Sequence, residues 1–187
     1  MPDPTRDIPL HRSVDPDDIV DFHAARVLIL LEVCGAGERT RRIDGRTKLA
    51  KLDFFLRYPR FLHEAHRELG ISHPSRSKSA RPELEAPMIR YRYGPWDPNY
   101  PNYLAFLESR GLLRVVGTDV EGYSLTRTGR QVAAELMRRP AFASIVSRAQ
   151  SMLGNLSEWN GSQLKTFIYQ RFSEEVEGLE FREVISP

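Results

Sequence analysis

YRYGPWDPNYPNYLAFLESRGLLRVVGTDVEGYSLTRTGR, residues 91–130, is the stretch on which the fold turns. It continues a segment from Met88 to Tyr93 in which Ile89, Tyr91 and Tyr93 alternate with Arg90 and Arg92, the pattern of a half-exposed strand. Gly94-Pro95-Trp96-Asp97-Pro98 reads as a turn. A helix to Arg110 follows, carrying Leu104, Phe106 and Leu107, and Gly111 supplies the left-handed residue that helix ends favour. Leu112 to Val116 and Gly122 to Thr126 then read as two short strands joined by Gly117 to Glu121, a β-hairpin. Tyr123 and Leu125 point inward from the second strand. Thr126 is placed to end it and to cap a helix patterned by Val132, Ala133, Leu136 and Met137.

Strand, helix, hairpin and helix in this order are the signature of a winged helix. The hairpin would be the wing, and its strands would join the 88–93 strand in a three-stranded sheet. The expected class is therefore α+β, mostly α, a winged-helix domain flanked by N- and C-terminal helices.

Upstream, residues 1–14 form a loose arm rich in proline and charge. Asp15-Pro16-Asp17-Asp18 starts a helix: Asp15 caps it, Pro16 suits the first turn, and the acids oppose the positive dipole end. That helix runs through Phe22, Val27, Leu30 and Leu31 to Gly35, and its apolar second half belongs in a core. Gly37 to Gly45 reads as a basic turn. Thr47 to Tyr58 reads as a helix with Leu49, Leu52, Phe55 and Leu56 on one face and Lys48 and Lys51 off it, ended by Pro59. A further helix spans Phe61 to Leu69. Residues 72–87 hold almost nothing to bury and are expected to be a long mobile loop that trypsin cuts at Arg76, Lys78 or Arg81.

The winged-helix domain is thus placed at residues 15–140, and residues 141–187 add helices and an acidic tail. One of those helices carries Phe142, Ile145, Val146, Ala149 and Leu153. The other, capped by Ser162, carries Leu164, Phe167, Ile168 and Phe172. The tail still holds Val176, Leu179, Phe181, Val184 and Ile185, which need a surface to cover them, on this chain or on a partner. A partner is the favoured reading.

Net charge is only +2, yet residues 39–148 carry 21 Lys and Arg against 11 Asp and Glu, and the flanks carry 6 against 14. Such a middle fits a sequence-independent nucleic-acid contact through Arg39, Arg41, Arg42, Lys48, Lys51, Arg90 and Arg92, or simple balance with the acidic flanks. The helix before the hairpin is a poor base reader, with one basic residue at its far end. Its aromatics Tyr100 and Tyr103, with Trp96, fit a protein interface or the domain interior.

Catalytic patterns are lacking. No glycine motif for phosphates and no nucleophile elbow occurs, so no cofactor is expected. His63 and His66 share a helix face but read as solvent-facing, and with Cys34 the only thiol no metal site is expected. No stretch reaches the roughly 20 apolar residues of a membrane span, and the N-terminus lacks a signal-peptide pattern, which leaves the cytoplasm as the default.

The segment Arg46-Thr47-Lys48-Leu49-Ala50-Lys51-Leu52-Asp53-Phe54-Phe55-Leu56, the Tyr91 to Pro95 strand and turn, and the Tyr123 to Gly129 junction resemble a prokaryotic winged-helix group that includes antitoxin-like proteins. More closely, with Leu164 to Phe172 and the acidic tail, the chain resembles the middle component of bacterial ABC-three-component conflict systems, to which Lamassu defence systems are related. The resemblance covers about residues 20–185 and implies a non-enzymatic adaptor linking an SMC/Rad50-like ATPase to an effector such as a nuclease. It carries over no catalytic residues. The alternative is a winged-helix DNA-binding regulator or antitoxin.

Overall fold

The computed structural model describes residues 20–36, 41–71, 88–91, 94–117, 119–173 and 180–185. The N-terminal arm, the Asp15 cap, the 72–87 loop, Arg39, Arg92, Val176 and Leu179 lie outside the described residues.

Helix α1 (Val20–Ala36) is the axis of the molecule. Val27, Leu28, Ile29, Leu30 and Leu31 are buried in succession, so this part of the helix is covered on every side, as a stretch apolar all round must be. Strand β1 (Ile43–Asp44) and helices α2 (Arg46–Arg57) and α3 (Pro59–Glu68) follow. Pro59 does more than end α2: it occupies the first turn of α3, where its missing N–H is not needed. Next come strands β2 (Ile89–Tyr91) and β3 (Gly94–Trp96), helix α4 (Tyr100–Ser109), strands β4 (Leu113–Val116) and β5 (Gly122–Leu125), and helix α5 (Arg127–Met137). Helices α6 (Ala143–Ser151) and α7 (Gly161–Arg171) complete the fold. The protein is α+β and mostly helical. Helices α4, α5 and α6 pack around α1, and α7 lies on α2.

The three-stranded antiparallel sheet has the order β1-β5-β4, with Ile43 opposite Tyr123 and Leu113 opposite Leu125. Its third strand is therefore β1, not the 88–93 strand that the sequence pattern offered. Two residues are too few to show a period, but they suffice here because Ile43 is fully buried beside Tyr123. Strand β2 pairs instead with β3, inside the segment read as a turn. Gly94 and Pro95 are turn formers, yet proline is tolerated in a short strand where its missing N–H breaks no ladder.

The C-terminal segment 180–185 packs at home. Val184 lies antiparallel to Ile89, with Arg90 N–H donating to the Glu183 carbonyl and Ile185 N–H to the Met88 carbonyl, both at 2.8 Å. Ile185 is fully buried. The Tyr58 hydroxyl accepts from Met88 N–H at 2.7 Å and donates to the Ile185 carbonyl at 3.2 Å. Tyr58 joins α2 to α3, in a core where Phe54, Phe61 and Phe172 meet at centroid distances of 4.9 Å (Phe54–Phe61 and Phe61–Phe172).

Caps decide two helix starts. The side chain of Asn160, rather than Ser162, begins α7, accepting from Gln163 N–H while the Gln163 side chain accepts from Asn160 N–H, both at 2.9 Å. Thr126 begins α5 as its sequence implies, accepting from Gly129 N–H at 3.0 Å and donating to the Gly111 carbonyl at 2.7 Å. Gly129 is required there, because a Cβ would stand 1.9 Å from the Leu112 carbonyl oxygen. Thr126→Ala is expected to lower stability by about 1 kcal/mol, read as a shifted urea midpoint at constant slope.

Candidate interaction surface

Among the described residues, the basic segment before α2 spends part of its charge in ion pairs within the chain. Arg42 pairs with Asp44 at 2.6 Å and lies over Gly122, whose missing side chain makes the room. Arg46 donates to Glu121 at 2.9 and 3.2 Å and to the Tyr123 hydroxyl at 3.1 Å, tying the start of α2 to the β4–β5 hairpin. That hydrogen bond holds the Glu121 carboxyl below its ordinary range. Burial, then Glu121, pushes the Tyr123 hydroxyl up to about 12. Arg41 is exposed, in a left-handed backbone conformation with φ 50°. It lines a cleft with Leu31, Glu32, Leu125 and Arg130.

Lys48 and Lys51, placed on the surface by the sequence pattern, are interior residues. Helix α2 is covered on nearly all sides, by α7, α6, α1 and β3 as well as by its neighbour α3, and no external phosphate reaches these two amines. Arg90 is half-buried on β2. His66, read as solvent-facing, is also buried, whereas His63 is exposed.

Lys51 is the more unusual of the two lysines. Its Nζ donates to the Pro95 carbonyl at 2.9 Å, and burial, reinforced by Lys165, brings its pKa down from 10.5 to about 7. A depressed lysine penalises the folded state when charged. Stability should therefore rise from about pH 7 to pH 10.5, the window in which only the unfolded chain keeps the proton. Lys51→Met is expected to stabilise the protein by about 1–3 kcal/mol at pH 6, with the gain shrinking toward pH 10 as the wild type sheds its penalty. Equal stability of the two proteins at pH 6 would refute this.

The aromatics before and within α4 also face inward. Tyr100 and Tyr103 are buried, and Trp96 is half-buried with its ring 5.0 Å from Tyr100. Both tyrosines belong to an ionic network that the sequence reading did not find. Arg26 Nε donates to Asp53 Oδ1 at 2.8 Å and its NH1 lies 2.7 Å from His23 Nδ1, so His23 accepts and is neutral. Tyr100 donates to Asp53 Oδ2 at 2.6 Å. Arg57 donates to Asp97 Oδ2 at 2.9 Å, and Tyr103 donates to the same oxygen at 3.3 Å. Asp97 Oδ1 accepts from Asn99 N–H at 2.8 Å, at the turn into α4.

Two arginines and two aspartates thus balance within the core. Burial alone would raise Asp53, but Arg26 and Arg57 hold its carboxyl below the ordinary value of 3.8. Burial and Asp97 push Tyr103 up to about 12. With each acid beside an arginine and its oxygens occupied, the network fixes α1, α2 and the start of α4 against one another. A signal was present in the sequence: Asp53 falls four residues after Leu49, on the apolar stripe of α2, and Arg26 interrupts an apolar run.

What α4 presents outward is Pro101, Asn102, Ala105, Glu108 and Ser109, with one carboxylate and no cation before Arg110. The Arg110 guanidinium rests 5.0 Å from the centre of the Phe106 ring. Of the tail residues expected at an interface, Ile185 is core, whereas Phe181 and Val184 are 50% and 48% exposed. The Cys34 thiol is buried and pushed up to about 12 by burial, so it is a poor nucleophile. Among the described residues no group of three or more His, Cys, Asp or Glu is arranged to hold a metal ion, and no helix is long and apolar enough to cross a membrane. Comparisons with known protein families, with curated proteins and with solved structures gave no match.

Proposed function

We propose that this chain is a non-enzymatic adaptor built on a winged helix, the middle subunit of a defence complex that links an SMC/Rad50-like ATPase to an effector. The order α1-β1-α2-α4-β4-β5 with sheet order β1-β5-β4 supports the winged-helix reading, with α3, β2 and β3 as an insertion before α4. The observation that carries the adaptor reading is the outward face of α4. A helix that reads bases needs Arg, Lys, Asn or Gln aimed into the groove, and it must meet phosphates without repulsion. This face offers Asn102 but also Glu108, and a small, flat centre at Ala105, which suit contact with another protein. Exposed Phe181 and Val184 supply a second apolar contact.

Co-expression with the neighbouring genes, followed by affinity purification, tests the reading. The expected result is a stable complex with an ATPase subunit that Ala105→Arg disrupts without unfolding the chain. Recovery of the wild type alone, or binding to its own promoter in strong preference to random DNA, would replace the adaptor by a DNA-binding regulator.

A further inference from the structure

We propose that the outward face of α5, continued by Arg139, binds the phosphodiester backbone of duplex nucleic acid irrespective of sequence. The inference is independent of the adaptor reading and concerns residues outside the α4 face and the hairpin.

Residues 127–151 contain five arginines and a single acid, Glu135. Along α5 the residues Arg127, Gln131, Ala134 and Arg138 are all exposed, and their spacings of four, three and four place them in one stripe. The opposite side buries Gly129 and Ala133, and the helix packs on α1. Arg139, in the turn after α5, is exposed as well. No ion pair or side-chain hydrogen bond engages Arg127, Arg138 or Arg139 among the described residues. The hairpin side differs, since Arg42 is paired with Asp44 and Arg46 with Glu121. Arg127, Arg138 and Arg139 are thus free cationic charge on α5, as Arg67 and Arg114 are elsewhere, while Arg41 and Arg130 share their cleft with Glu32.

The helix dipole accounts for only part of this. Arg138 and Arg139 favour the negative C-terminal end, but Arg127 occupies the first position of α5, where a cation opposes the dipole. An anion outside the chain resolves that conflict.

Duplex backbone fits best. From Arg127 to Arg138 the helix rises about 16 Å. With the reach of two side chains, that spans the phosphates on either side of a groove about 12 Å wide. Guanidinium forks match phosphate oxygens, and Thr128 and Gln131 add neutral donors of the kind found in backbone contacts.

The test uses the purified full chain and fluorescence anisotropy with several unrelated short DNA duplexes over a salt series. Arg127→Gln/Arg138→Gln/Arg139→Gln is compared with Arg60→Gln/Arg67→Gln/Arg110→Gln, which removes the same charge elsewhere. The wild type is expected to bind all duplexes alike. The α5 variant should lose at least about 10-fold in affinity, and its salt slope should become shallower by about 2–3 units. The control should keep the wild-type slope within about one unit. Each α5 residue changed singly should lower the slope by about one, so the inference does not depend on the triple variant folding. Equal losses in the two triple variants, or no duplex binding by the wild type at low salt, would overturn it. So would binding to poly-glutamate but not to DNA, which would make the stripe a site for an acidic protein.

Discussion

Asp53→Ala is expected to be the most damaging single substitution in the molecule, lowering stability by about 3–5 kcal/mol. It removes the carboxylate that Arg26 grips with two nitrogens and strips Tyr100 of its acceptor, in a site that water does not reach. Arg26 would then be a buried cation with no anion beside it. Against a total stability of about 5–15 kcal/mol, such a loss brings the chain close to unfolding. Chemical denaturation at pH 7 measures it directly. Arg26→Met with Asp53→Leu should recover a large part, because removing both charges spares the chain an uncompensated ion. The same group shapes the acid limb. Since Asp53 titrates below 3.8 in the folded state, its stabilisation is complete above about pH 4 and is lost as pH falls through the lowered value. Asp53→Ala should lack that part of the acid transition. A wild-type midpoint for Asp53→Ala would show that the network contributes nothing net.

Ile185→Ala is expected to lower stability by about 2–4 kcal/mol. The side chain is fully buried, and its backbone is held by Met88 and Tyr58, so truncation leaves a cavity rather than a relaxed end. Ending the chain after Phe172 should do at least as much damage, seen as a lower thermal midpoint. Phe181→Ser and Val184→Ser, at exposed positions, should leave stability within about 1 kcal/mol while weakening any partner complex. A truncated chain as stable as the full one would return the whole tail to a partner.

Long elements were legible in the sequence because their patterns are long. Helices α1, α2 and α4, the β4–β5 hairpin and the Thr126 cap each rest on several residues whose spacing or chemistry admits one reading. Strands β1 and β3 were not legible. One has two residues, and the other is built from Gly94, Pro95 and Trp96, whose local preference is for a turn that tertiary pairing overrides. Lys48 and Lys51 misled for a related reason. A helix packed by several elements has no solvent face, and nothing in α2 alone says how many neighbours it has. The exposed stripe of α5 was readable by spacing, but Arg130, beside it, turns inward to donate to the Leu125 carbonyl. The ionic network joins residues from 23 to 103, a separation at which single-chain patterns carry no pairing information.

The Tyr58 hydroxyl bridge also bears on the order of synthesis. Tyr58 leaves the ribosome well before Ile185, whose carbonyl accepts its hydrogen bond. Until then the β2 edge at Met88 and Arg90 lacks the backbone partners that residues 182–185 supply. An unpaired strand edge of this kind can be taken by another chain until residues 180–185 are made.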